Sequence, residues 1–245
     1  WLTATLPPEA RQQLLAQLPS PSRVLGNFDL PSSLCLTVAH VPWNERAETF
    51  ASWMRQQSTP GIIFVSTREA TNRVERLLGA IGIRAITYHA GMGAEERLAV
   101  EALIRADREK IVVATSAFGM GMDFAHFEWV VLWQAPATLL SLAQAIGRVG
   151  RNPARRARAL LLWEQDDLRL HEWMIRGPKG SERKRAELLR VKLFLESHRC
   201  RRIELRAYFN EMPGAADTED SPCGRCDRCM RQVNSPHSHP SCAVV

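Results

Sequence analysis

Cys223, Cys226 and Cys229 follow one another at intervals of three, and Cys200 stands upstream of them. Two residues between cysteines let one ion take neighbouring thiolates from a tight turn, which Gly224 eases, and four thiolates close a tetrahedral zinc site. Cys-x-x-Cys pairs in a chain that reads as cytosolic favour a metal over a disulfide framework. An iron–sulfur cluster is the rival occupant, although no further Cys-Pro completes a ferredoxin-like run. Zinc at such a site contributes about 10–16 kcal/mol in small peptides, enough to organise a domain with little core.

A second group of residues has the chemistry of phosphate recognition. Tyr88-His89-Ala90-Gly91-Met92, Ala114-Thr115-Ser116-Ala117-Phe118-Gly119-Met120-Gly121-Met122-Asp123, and Gln144 with Gly147-Arg148-Val149-Gly150-Arg151 each follow an apolar strand or open a helix. Gly119 and Gly121 let a backbone approach a ligand closely, and Asp123 offers an acceptor for hydroxyls or an arginine. Arg148 and Arg151 are three apart, so the spacing predicts one helical face on which both guanidinium groups converge on an anion, with Gln144 a turn earlier. In phosphoryl transfer such an arginine neutralises charge developing on the γ-phosphate.

The elements that must hold these groups are legible in the apolar pattern. Ile62–Val65, Ala85–Tyr88, Ile111–Ala114, Val130–Trp133 and Leu160–Trp163 are short apolar runs, and Leu34–Val41 reads as an entering strand. Helical spacing links Val74, Leu77, Leu78 and Ile81, and helices are expected over 44–57, 94–105 and 139–146 as well. Apolar strands alternating with helices predict an α/β fold, a parallel sheet covered on both faces, whose ligands meet the C-terminal ends of the strands. Pro7-Pro8 opens a short helix ended by Pro19-Ser20-Pro21. Beyond Glu164 the chain turns charged and helical over 183–197 and through Ile203, Leu205, Tyr208 and Phe209, and the last residues read as a frayed tail. The expected divisions are 1–20 (an incoming linker or domain end), 21–165 (the α/β domain), 166–232 (a small helical metal-binding domain) and 233–245 (the tail).

Composition narrows the class. Apolar residues make up 45% and charged residues 24% of the 245, ordinary globular usage. No apolar run is long enough to span a bilayer, so the chain reads as soluble and not secreted, and its start at Trp1 reads as a piece of a longer protein. The net charge of +6 is uneven: residues 150–210 hold thirteen arginines and three lysines against eight acids. A basic half points to a polyanion such as nucleic acid, or else to a solvated arginine-rich surface.

The ordered set of motifs resembles superfamily 2 helicases. Phe64-Val65-Ser66-Thr67-Arg68 is similar to motif IV, the 114–123 stretch to motif V, and Gln144 through Arg151 to motif VI. The His89-Ala90-Gly91 and Ala117-Phe118-Gly119-Met120-Gly121 versions resemble those of the RecQ family of DNA helicases. Thr3-Ala4-Thr5 is similar to motif III, and Cys200-Arg201-Arg202 with the later cysteines is similar to that family's zinc-binding domain.

The resemblance implies a RecA-like sheet followed by a small helical zinc-binding domain, the C-terminal part of an ATP-dependent 3′→5′ DNA helicase of repair and recombination. By it, Arg151 matches the arginine finger, with Arg148 and Gln144 as companions. Gly121 and Asp123 lie by the nucleotide, and Ser66, Arg68, His89 and Thr115 face DNA. The 245 residues contain neither a Gly-Lys-Thr/Ser loop nor an Asp-Glu-x-His box. ATP and Mg2+ are therefore expected only together with a first RecA-like domain, and the chain alone is expected to be inactive. Single-stranded DNA and fork junctions are the implied partners. The implied location is bacterial cytoplasm and nucleoid or the eukaryotic nucleus. Ala145 and Asn152-Pro153 depart from the family pattern, and two other readings stand: a non-catalytic zinc-containing nucleic-acid-binding module, or an RNA helicase or remodelling subunit.

Overall fold

Six parallel strands make the centre of the computed structural model, which describes residues 5–19, 28–106, 111–118, 126–176, 182–210 and 222–232. The strands are β1 (Leu34–His40), β2 (Gly61–Phe64), β3 (Ala85–Tyr88), β4 (Ile111–Ala114), β5 (Trp129–Leu132) and β6 (Ala157–Trp163). Their order across the sheet is β1-β6-β5-β2-β4-β3. Phe64 at the end of β2 is level with Ala114 of β4 and Leu132 of β5, so three central strands end on one line.

Helices fill both faces. On one side α2 (Trp43–Arg55) and α3 (Arg68–Ala80) bury Phe50, Trp53, Met54, Val74 and Leu78 against Ile63, Val113, Val131 and Leu160. On the other, α4 (Ala94–Ala106) and α5 (Leu139–Ile146) cover Ile62, Val112, Val130 and Leu161. The strict alternation of neighbours such as Ile62 and Ile63 is the two-residue period of a strand buried on both faces. Gly61 faces Trp129 across the ladder, and a Cβ there would overlap the indole ring.

The remaining helices are α1 (Pro8–Gln17), α6 (Gln165–Ile175), α7 (Glu182–Glu196), α8 (Arg201–Asn210) and α9 (Asp227–Gln232). α6 has no counterpart in the sequence pattern, because its apolar residues do not form a continuous buried stripe: only Asp167 and Leu168 are buried along it. Tyr208 and Phe209 join Leu188, Val191, Phe194 and Leu195 in the same apolar cluster that underlies the sheet.

Candidate nucleotide, nucleic-acid and zinc sites

A cleft of about 340 Å³ opens at the C-terminal ends of β2, β4 and β5. Ser66 follows β2, Ser116 follows β4 and Gln134 follows β5, while α5 adds Ser141 and Gln144, the turn after it adds Arg148, and α6 adds His171. Parallel strands direct their C-terminal loops to one rim, which is why residues distant in sequence meet there. Of the expected residues, the cleft gathers Ser66, Gln144 and Arg148. Its cationic corner is Arg148, half-exposed just beyond α5.

The expected helical pairing of Arg148 with Arg151 is corrected. α5 ends at Ile146, Gly147 caps it by donating to the Ala143 carbonyl at 2.8 Å, and Gly150 takes φ +78°. A left-handed residue breaks the 3.6-residue period, so the two arginines do not share a helix face. Gly150 is also confined, since a Cβ there would stand 3.2 Å from the Pro31 Cβ. Arg151 is exposed on the far side of that turn and does not line the cleft. Gly121 and Asp123 lie outside the described residues.

Arg68 opens α3, which Thr67 caps by accepting the Ala70 N–H at 3.1 Å. The Arg68 guanidinium lies across Gly91, where a Cβ would collide with it, so the turn after β2 touches the turn after β3. His89 stands in the latter, its N–H directed to the Met92 sulfur at 3.3 Å. Thr115 is 9% exposed and prolongs the ladder by donating to the Tyr88 carbonyl at 3.1 Å. Beyond Arg151, Arg155 pairs with Glu128 at 2.6 Å, and Arg158 lies over the Trp53 ring.

Sequence reading missed Gln134, Ser141 and His171, and gave Ser116 only as part of the 114–123 stretch. The signal for Gln134 was available, since it is the polar residue that follows an apolar strand. Nothing pointed to His171, which depends on the unexpected α6. Nor did anything reveal Arg46, fully buried, whose guanidinium grips both Asp167 carboxylate oxygens at 3.1 and 3.0 Å.

The four thiols Cys200, Cys223, Cys226 and Cys229 lie within 4.8 Å of one another. Cys223 and Cys229 sulfurs are 3.8 Å apart and those of Cys226 and Cys200 3.9 Å. Tetrahedral Zn–S bonds of about 2.3 Å place sulfurs about 3.8 Å apart, so the donor set fits zinc. Gly224 at φ +63° makes the turn, and the Arg225 N–H donates to the Cys223 sulfur at 3.4 Å. Burial first, then contact with the Cys226 thiol, pushes Cys229 up to about 11. Crowded thiols resist ionising together, and a divalent cation removes that penalty.

The neighbouring residues tie this site to the sheet. The Leu36 N–H of edge strand β1 donates to the Arg225 carbonyl at 2.9 Å. Arg201 pairs with Asp227 at 3.2 Å, both about 1% exposed, and the guanidinium also donates to the Phe194 and Leu195 carbonyls. Arg202 donates to the Leu30 and Pro31 carbonyls before β1. Cys200-Arg201-Arg202 thus carries one ligand, one clamp on the zinc loop and one clamp on the sheet.

Two family models match in tandem: "Helicase conserved C-terminal domain" over 45–153 and "RecQ zinc-binding" over 165–230, the latter spanning all four thiols. ATP-dependent DNA helicase RecQ of Pasteurella multocida is 33% identical over 94% of this chain and 36% of its own length. The chain belongs to the RecQ helicase family. Its four cysteines hold a structural zinc ion.

Caenorhabditis elegans ATP-dependent helicase wrn-1 is 27% identical to this RecQ-family chain over 99% of the chain and 24% of itself. The chain thus spans about a third or less of these relatives. Saccharomyces cerevisiae Dbp5, solved with RNA and ADP BeF3, superposes with a TM-score of 0.59 at 18% identity, covering 79% of this chain and 54% of that one. Mycobacterium smegmatis helicase Lhr, solved with ssDNA and AMP-PNP, gives 0.50 at 25% identity over 68% of this chain and 24% of its own. The RecA-like fold of the RecQ-family sheet is thereby shared with helicases. Among the described residues no helix is long and apolar enough to cross a membrane.

Proposed function

We infer that this chain is the second lobe of an ATP-driven RecQ-type DNA helicase moving 3′→5′, and that it completes an ATP site carried mainly by a first RecA-like lobe. The observation that carries the reading is the cleft at the strand ends, where Ser66, Gln144 and Arg148 line one surface. In this reading Arg148 binds a phosphate oxygen through its planar donors, and Gln144, one turn away, holds water or phosphate beside it. Arg151, beyond the Gly150 turn, swings onto the γ-phosphate as the lobes close, with Asp123 and Gly121 at the nucleotide. Mg2+ would be held by the other lobe. Ser66, Arg68, His89 and Thr115 face the DNA backbone, so lobe closure pulls on the strand. The Pasteurella relative is named a DNA helicase, which favours DNA over RNA as the track.

The test joins this chain to a phosphate-loop lobe from a RecQ relative and measures ATP turnover with single-stranded DNA, forked DNA and RNA. DNA-stimulated turnover, falling on the order of 10³-fold or more in Arg151→Ala, is expected. Turnover by the chain alone, or turnover indifferent to Arg151→Ala, overturns the arginine-finger role. Equal stimulation by RNA favours the remodelling reading, and nucleic-acid binding with no turnover favours a non-catalytic module.

A further inference from the structure

Three adjacent strands present a row of neutral polar residues at one level. Phe64, Ala114 and Leu132 share a register line. The ladder runs one residue further, with the Val65 N–H on the Ala114 carbonyl and the Trp133 N–H on the Phe64 carbonyl, both at 2.9 Å. Ser66, Ser116 and Gln134 each stand two positions past that line and line the same cleft. Neighbouring strands are about 4.8 Å apart, so the row β5-β2-β4 offers Gln134, Ser66 and Ser116 in series.

The middle of this row rests on strand geometry, but Gln134 lies in a loop that needs support. Both peptide groups flanking it are held from α2 and α6. Arg46 donates to the Trp133 carbonyl at 3.1 Å, and the Asp167 carboxylate that pairs with Arg46 accepts the Ala135 N–H at 3.2 Å. His171, one turn further along α6, meets the Ala135 carbonyl through Nε2 at 2.9 Å. Ala135 is therefore gripped at its N–H and its C=O by one helix. That helix lies within the zinc-binding module, whereas Gln134 lies within the helicase module.

We propose that Gln134, in series with Ser66 and Ser116, contacts the sugar-phosphate backbone of the bound strand as a neutral donor, and that α6 is its positioning element through Asp167 and His171. The inference deepens the DNA-tracking reading above and rests on it. Neutral side-chain donors in a row bind phosphate oxygens without reading bases, as a translocating motor requires. The zinc-binding half would thereby set the geometry of the cleft without touching the ligand.

The 245-residue chain is titrated with fluorescent oligothymidylate over a range of salt. Gln134→Ala is expected to weaken binding about fivefold at every salt concentration, with an unchanged salt slope, because a neutral contact releases no counterion. Arg68→Ala, which removes a cation placed at the DNA backbone, is expected to reduce that slope by about one, as a lost phosphate contact does. His171→Ala should match Gln134→Ala in affinity, speed amide exchange at Ala135 and leave the melting temperature within a few degrees. His171→Gln, which keeps an N–H donor on a side chain of similar reach, should restore both. Binding that responds to Arg68→Ala but not to Gln134→Ala or His171→Ala overturns this proposal and leaves the DNA-tracking reading standing. Binding indifferent to all of them, Arg68→Ala included, overturns that reading as well.

Discussion

Removing the carboxylate of Asp227 isolates one buried charge and tests how the zinc loop is held. Asp227 accepts from Arg201 Nε at 3.2 Å and Nη2 at 3.3 Å, and from the Val38 N–H of β1 at 3.4 Å. In Asp227→Leu the Arg201 guanidinium keeps two neutral carbonyl partners but loses its counter-charge in a site 1% exposed. Breaking a buried pair from one side costs about 3–5 kcal/mol, a large share of the 5–15 kcal/mol that domains have. At about 2–4 °C per kcal/mol for a chain of this size, the melting temperature should fall by roughly 6–20 °C. Replacing both partners, Asp227→Leu with Arg201→Met, removes the stranded charge and should recover most of the loss. Calorimetry of the single and double variants, each with its zinc content measured by elemental analysis, separates charge from metal loss. A double variant as unstable as the single one, with zinc retained, refutes the argument that an unpaired buried charge is what destabilises.

Three further outcomes follow from the geometry. Chelating the zinc should release the 222–232 segment from β1, exposing the Leu36 N–H, so amide exchange along β1 should quicken while exchange along β2 and β5 changes less. Gly150→Ala forces a Cβ into a left-handed position hemmed in by Pro31, at a cost of about 1–2 kcal/mol, and should lower both the melting temperature and turnover by the joined lobes. Tyr208 is pushed above its ordinary value, first by burial and then by its hydrogen bond to Glu187. Its stabilisation is then complete below the ordinary tyrosine value of about 10 and is lost as pH rises beyond it, so alkaline destabilisation should be shallower in Tyr208→Phe.

How much of this was readable from residues alone depends on the range of the interaction involved. The β2, β4 and β5 strands announce themselves because burial on both faces makes each a short continuous apolar run, and a parallel order follows from the helices between them. The zinc ligands were equally plain, since three of four lie within one turn and the thiolate is a chemically distinctive donor. Ser66, Gln144 and Arg148 were recognisable from motif order, and the sheet's geometry brings them to one rim. The helical pairing of Arg151 with Arg148 was misjudged because spacing assumes a continuing helix, whereas the Gly147 cap and the left-handed Gly150 stop it.

What the tertiary structure alone decided is everything held by partners far apart along the chain. Arg46 meets Asp167 across 121 positions, and Arg202 reaches the Pro31 carbonyl across 171. No periodicity marks such pairs, because a buried ion pair depends on where two distant side chains converge and not on the local alternation of apolar residues. Helix α6, the grip on Ala135, and the merging of α7 and α8 into the sheet's own core share that origin. Local pattern dictated the strands, the cleft's side of the sheet and the metal; three-dimensional convergence dictated how the zinc-bearing half is built into the floor of the helicase lobe.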